Sequence, residues 1–333
     1  MRAMQMSHPA PAEQSPLRFI DLPDPTPASN EVRVRIHTCG ICHTDLHTIE
    51  GDLALPKLPL VPGHQIVGFV DAIGPDVRTL HVGDRVGVPW LYSTDGTCPF
   101  CVQHTENLCD HAQFTGYHVN GGYAELCVVR EDFAHPIPPV FSDENAAPLL
   151  CAGVIGYRSY RLSGAQKGQR VGLYGFGASA HLVLQLARHQ GCEVYVFTRG
   201  RAHRELAEQL GAAWVGSADE TPPHPLDTSI IFAPAGTLVP QALQHLRKAG
   251  TLALAGITMS QIPPLDYDLL YHERVVRSVA NSTRNDCREF LALAAEIPIQ
   301  TSIQVYPLAD ANLALVDLKH SRLEAAGVFR VEN

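Results

Sequence analysis

In the first half of the chain, apolar and polar positions alternate over short stretches. Val32, Val34 and Ile36 are separated by Arg33 and Arg35, and Ile66-Val67-Gly68-Phe69-Val70 is a brief apolar run of β type. A period of two predicts strands with one buried face. Turn signals such as Val82-Gly83-Asp84-Arg85-Val86 punctuate these runs over residues 2–150. Short strands with frequent Gly and Pro predict an irregular β-barrel-like domain.

The pattern changes near Gly168. Arg170–Tyr174 reads as a short apolar strand, a glycine turn follows, and Leu182, Leu186 and His189 mark a helix over Ala178–His189. Next come a strand at Glu193–Phe197, a helix at 201–210 ended by Gly211, a strand at 229–233, a helix at 238–246 and a strand at 251–255. This alternation predicts an α/β fold with a doubly wound parallel sheet. Residues 284–333 mix two helical patterns with short strands at 303–306 and 327–331, and are expected to pack back on the first domain.

A length of 333 residues suits two domains with their own cores. The 45% hydrophobic and 18% charged content reads as globular rather than disordered. A formal net charge of −9 argues against a nucleic-acid partner or an anionic membrane, while leaving room for a local basic pocket. Residues 1–15 lack the apolar run of a signal peptide, and no segment approaches the roughly 20 apolar residues that span a bilayer, so a cytoplasmic protein is expected. Nine cysteines, several of them clustered, then point to metal or catalysis rather than to a disulfide scaffold.

Gly175-Phe176-Gly177-Ala178-Ser179-Ala180 follows a strand and opens a helix. The first glycine makes the turn, the second lets a pyrophosphate approach the backbone, and small Ala180 lets helix and strand pack. Free N–H groups at the helix start, including that of Ala178, favour phosphate. Where NAD-binding sheets carry an acidic residue after the second strand, this chain has Thr198 and Arg199, followed by Arg201 and Arg204. The missing carboxylate and the added arginines favour NADP(H) over NAD(H).

Two groups of metal-ligand residues stand out. Cys39-Gly40-Ile41-Cys42-His43-Thr44-Asp45-Leu46-His47 is dense in donors, and Gly63-His64 and Leu150-Cys151 lie far away in sequence. A catalytic zinc takes three protein ligands and keeps one position open, but spacing alone does not choose the three. Cys98, Cys101 and Cys109, with Asp95 and His104 close by, read as a structural zinc lobe.

With these motifs in family order, the chain resembles the zinc-containing alcohol dehydrogenases of the medium-chain dehydrogenase/reductase superfamily over essentially its whole length, and especially the microbial ethanol-type enzymes. Cys42-His43-Thr44-Asp45-Leu46-His47, Gly63-His64, Gly121-Gly122-Tyr123-Ala124-Glu125 and Leu150-Cys151-Ala152-Gly153 carry the likeness. The resemblance implies a GroES-like catalytic domain over 1–152, a Rossmann domain over 153–281 and a segment over 282–333 returning to the first. It implies reversible hydride transfer between a short primary alcohol or aldehyde and NAD(P), in a homodimer or homotetramer. Cys42, His64 and Cys151 are the implied catalytic zinc ligands, with Asp45 orienting His64. Thr44 is implied to bond the substrate oxygen, His47 to end a proton relay running through the cofactor ribose, His43 to lie near the pyrophosphate, and Trp90 to form a pocket wall favouring small alcohols. Aligning on Glu106-Asn107-Leu108-Cys109 gives Asp95, Cys98, Cys101 and Cys109 as structural zinc ligands, with His104 as the alternative to Asp95. One departure is Gln65, where the family often has Glu. The competing readings are a zinc-free quinone or enone reductase of the same superfamily and a non-enzymatic zinc or dinucleotide sensor.

Overall fold

A computed structural model describes residues 1–297, 299–323 and 326–331. The chain forms two compact units, one of Met1–Cys151, Ser282–Ala295 and Thr301–Asn333, the other of Ala152–Asn281 and Glu296–Gln300.

The first unit is built on a seven-stranded sheet. Its order runs Ile303–Pro307, Ala326–Arg330, Glu31–Ile41, Ile66–Ile73, Arg85–Val88, His135–Pro136, with Leu126–Arg130 also paired to the long Glu31–Ile41 strand. Val32, Val34 and Ile36 are fully buried, while Arg33 and Arg35 turn outward and both pair with Asp71. The long strand continues beyond Ile36 because buried Cys39 and Ile41 extend the apolar face, and because Ala326–Arg330 pairs antiparallel with its end. It therefore stops one residue before Cys42. The helix His43–Glu50 follows at once, capped by Cys42: its sulfur accepts from Thr44 N, and Asp45 accepts from the Cys42 amide at 3.0 Å. Gly51, at φ +84°, ends the helix in the left-handed conformation that favours glycine.

The second unit is a six-stranded parallel sheet ordered Trp214–Gly216, Glu193–Phe197, Arg170–Tyr174, Leu226–Ile231, Leu246–Leu254, Val275–Ser278. In chain order that is 3-2-1-4-5-6, the doubly wound arrangement with its switch beside the first strand. Val171, Leu173, Val194, Val196, Ile230 and Leu252 are buried, as strands covered on both faces require. The two edge strands and the helix Ala152–Ser163 are absent from the sequence reading. Among the described residues no helix is long and apolar enough to cross a membrane.

Candidate active site

Folding brings Cys42, His64 and Cys151 together. Cys42 caps the helix after the long strand, His64 precedes the strand Ile66–Ile73, and Cys151 follows the 3-10 turn Ala147–Leu150. The two sulfurs are 3.8 Å apart, and His64 Nε2 is 3.3 Å from Cys151 Sγ. Two thiolates on one tetrahedral zinc, each about 2.3 Å from it, stand about 3.8 Å apart, so the donor set fits zinc in spacing and chemistry.

Asp45 assembles this group. One of its oxygens accepts from His64 Nδ1 at 2.9 Å and Gly63 N at 3.2 Å; the other accepts from Cys42 N at 3.0 Å and the Tyr123 hydroxyl at 3.1 Å. Binding Nδ1 turns Nε2 of His64 toward the sulfurs. Gly63 has φ +99°, and a Cβ there would lie 2.4 Å from the Tyr123 ring, so glycine is required. Burial opposes charge on His64, but the Asp45 carboxylate outweighs it and holds the imidazole up at about 10. The hydrogen bond from Cys151 drives the Cys42 thiol well below its ordinary range against the cost of burial, and the same contact drives Cys151 up. Closely packed donors that compete for protons in this way are suited to a shared cation.

Thr44 is buried in the first turn of the same helix, its Oγ1 3.6 Å from Cys42 Sγ. His47 is half-buried one turn further along that face, and its Nδ1 meets Asp52 at 2.8 Å. His43 is exposed. The Trp90 ring lies 6.0 Å from that of His64 and stacks on Phe114 at 4.3 Å. Gln65 is buried against Gly40, where a Cβ would lie 2.8 Å from its amide carbon. Cys39 is fully buried and lies outside the donor group, and burial raises its thiol far above the usual range. Tyr123, Asp52 and Phe114, which touch Asp45, His47 and Trp90, carry no signal of this in the sequence. Tyr123 stands in a quoted motif, but nothing in the pattern links it to Asp45, 78 residues away.

A second donor group comprises Asp95, Cys98, Cys101 and Cys109, whose ligand atoms all lie within 4.8 Å of one another. Asp95 Oδ1 accepts from Thr97 N and Cys98 N at 2.9 Å each, and these amides hold its carboxyl well below the usual range. Cys98 caps the short helix Pro99–Val102, which buries Cys101; Cys109 follows the turn Glu106–Leu108. The alternative donor, His104, is exposed in the left-handed conformation at φ +57° and lies outside the group. One carboxylate and three thiols fit a four-coordinate structural zinc.

In the second unit, Gly175 has φ +84° and a Cβ there would lie 2.9 Å from Ala233, so the turn is tight. Gly177 caps the helix Ala178–His189 and has open space where a Cβ would sit, which suits close approach of a phosphate. Ala180 is fully buried, as close helix–strand packing demands. Thr198 is buried at the end of the second strand; its carbonyl accepts from Arg204, which also approaches Glu220, and Arg201 pairs with Glu205. Arg199 is exposed and makes no hydrogen bond or ion pair among the described residues.

A doubly wound sheet with a phosphate-type turn, joined in one chain to a unit with two zinc-type donor groups, defines a zinc-binding dehydrogenase. Residues 28–139 match the alcohol dehydrogenase GroES-like domain and residues 180–296 the zinc-binding dehydrogenase domain. A probable alcohol dehydrogenase of Mycobacterium tuberculosis is 45% identical over 99% of this chain and 97% of its own length. An alcohol dehydrogenase of Geobacillus stearothermophilus is 36% identical, covering 96% and 97%. Among solved structures, a cobalt- and zinc-bound thermostable alcohol dehydrogenase from Pyrobaculum aerophilum superposes with a TM-score of 0.90 at 25% identity, over 99% of both chains. The chain belongs to the zinc-type alcohol dehydrogenases of the medium-chain dehydrogenase/reductase family. Its cofactors are accordingly zinc and a nicotinamide dinucleotide, and its substrates are small alcohols and aldehydes.

Proposed function

We propose that this chain interconverts short primary alcohols and their aldehydes at the Cys42–His64–Cys151 centre, with NADP(H) as the preferred cofactor. The observation that carries the reading is the pair of buried sulfurs 3.8 Å apart beside a histidine fixed by Asp45. A zinc-free reductase has no need of it, and a zinc or dinucleotide sensor has no need of Thr44 and His47 beside it. When bound, zinc supplies Lewis-acid polarisation of the substrate oxygen and the nicotinamide ring supplies a hydride acceptor or donor. Cys42, His64 and Cys151 hold the metal, and Asp45 keeps His64 in the ligating tautomer. Thr44 Oγ1 would accept the alcohol proton as it gives up its own to the cofactor ribose, and His47, on the same helix face, would carry that proton from the ribose to solvent. Trp90 walls the pocket and limits substrate size. Asp95, Cys98, Cys101 and Cys109 hold a second, structural zinc.

Gly175, Gly177 and the amides at Ala178 cradle the pyrophosphate, with His43 beside it. Arg199 is the cation left to meet a 2′-phosphate, because Arg201 and Arg204 already engage acidic groups. We also infer a homodimer or homotetramer. Val275–Ser278 is an edge strand, and Val275, Tyr267 and Tyr271 near it are 47%, 69% and 54% exposed, a surface that a second copy can cover.

The test is metal content together with turnover. Purified protein should hold near two zinc ions per subunit and oxidise ethanol, and Cys42→Ser should hold near one and lose activity. Protein that stays metal-free after zinc is supplied overturns the reading. Arg199→Ala should lower kcat/KM for NADP+ by about 10- to 100-fold and spare NAD+, the effect of losing one charge-assisted hydrogen bond. Equal use of both cofactors by the wild type overturns the NADP(H) preference. Light scattering should give a dimer or tetramer; a monomer rejects the assembly.

A further inference from the structure

Trp90 does not stand alone. Its indole is stacked on Phe114 with ring centroids 4.3 Å apart and planes within 21°. Phe114 in turn meets His118 at 5.5 Å, and His118 meets Tyr117 edge-on at 4.8 Å. The segment carrying these rings is pinned by its own bonds. Thr115 N donates to the Trp90 carbonyl at 2.8 Å, Phe114 N donates to His118 Nδ1 at 3.1 Å, and the Tyr117 hydroxyl donates to the Ala54 carbonyl at 2.5 Å. Antiparallel pairing of Leu91 with Phe114 fixes the register that sets the two stacked rings side by side. An indole with one face covered by a fixed ring cannot turn about its side-chain bonds without losing that contact.

We propose that Phe114 is a specificity-determining positioning residue: it locks the Trp90 ring beside His64 and so keeps the substrate pocket narrow. The proposal rests on Trp90 being a pocket wall. Phe114 itself needs no contact with substrate. It acts by denying the indole the rotation that would admit a bulkier alcohol, and the Phe114–His118–Tyr117 run braces it from behind.

The experiment compares ethanol with benzyl alcohol in the zinc-loaded enzyme. Phe114→Ala, and Phe114→Leu, which keeps apolar volume without a ring, should raise the benzyl-to-ethanol ratio of kcat/KM by about tenfold, the scale of discrimination that pocket size supplies. The change should come through KM for benzyl alcohol, with kcat for ethanol unchanged. Phe114→Tyr should keep the wild-type ratio. The chain has two tryptophans, Trp90 and Trp214. In a Trp214→Phe background, the fluorescence anisotropy decay of Trp90 should therefore show faster ring motion in Phe114→Ala than with Phe114 intact. If Trp90→Ala raises the ratio but neither Phe114→Ala nor Phe114→Leu does, the lock is wrong and Trp90 acts unaided. If the Phe114 variants raise the ratio while Trp90 stays as immobile as before, Phe114 works by another route and the lock is again wrong. If no variant, including Trp90→Ala, moves the ratio, the pocket-wall reading falls and the lock falls with it.

Discussion

Asp45 shows how much one buried carboxylate can do. It takes donors from three separate stretches, at Cys42, at Gly63 and His64, and at Tyr123. Asp45→Asn keeps the shape but removes the charge, and turns one acceptor into a donor facing other donors. We predict a 10- to 100-fold loss of zinc affinity at this centre, the usual scale for an outer partner of a ligating histidine, measured by competition with a chromophoric chelator. Unchanged affinity would mean that Asp45 only braces the fold. The grouping of Cys42, His64 and Cys151 was legible, because they sit in motifs whose family order sets them apart. Asp45 beside His64 was legible through the same resemblance, whereas Phe114 and Asp52 were not. Phe114 reaches Trp90 through strand pairing, and His47 meets Asp52 across a helix end. Asp95 rather than His104 follows from aligning on Glu106-Asn107-Leu108-Cys109, and the chain groups Asp95 with the three cysteines while His104 lies outside that group.

Among the elements, the sequence located most strands and helices of the parallel sheet, because apolar runs bounded by glycines are plain to read. It missed the edge strands Trp214–Gly216 and Val275–Ser278, which lack a fully buried apolar face. The strand Leu246–Leu254 also begins ahead of its readable apolar run, since exposed Arg247, Lys248 and Ala249 interrupt the pattern. One contact between elements has a measurable weight. Arg284, opening the helix Arg284–Glu296, pairs with Glu106 in the donor lobe and with Asp132, and lies over the Phe133 ring. Glu106 is nearly buried; burial favours its neutral form, but bonds from Arg284 prevail and hold its carboxyl below the ordinary value. Arg284→Ala leaves that carboxylate without its counter-charge. We predict a loss of about 3 kcal/mol, the low end for breaking a buried pair because the arginine is partly exposed. In thermal unfolding of the 333-residue chain this amounts to a fall in Tm of about 4 °C.

At the scale of the whole molecule, fold class followed from the change of texture near Gly168, and the acidic balance agrees with a small-molecule enzyme. A further consequence concerns acid. His135 in the first unit is held at about 3 by burial, then by Arg288 and Arg284; His181 in the second is held at about 4 by burial. Both are therefore neutral in the native chain near neutrality, whereas in the unfolded chain each titrates near its ordinary 6.5. Below that value the unfolded state binds protons that the native state refuses, so the stability these two histidines contribute is fully present above about pH 6.5 and falls as pH drops toward 4. Urea midpoints should decline over this window, and His181→Gln should flatten the decline; a midpoint independent of pH between 6.5 and 4 rejects this account. The bonds to Asp45 have one more outcome. They knit the donor segments to one another through the protein's own carboxylate, and we predict that the centre keeps its form without the ion, so that circular dichroism of the chelated enzyme matches that of the loaded one. A chelated enzyme is then a folded vessel that zinc refills, with no need to rebuild the chain around it.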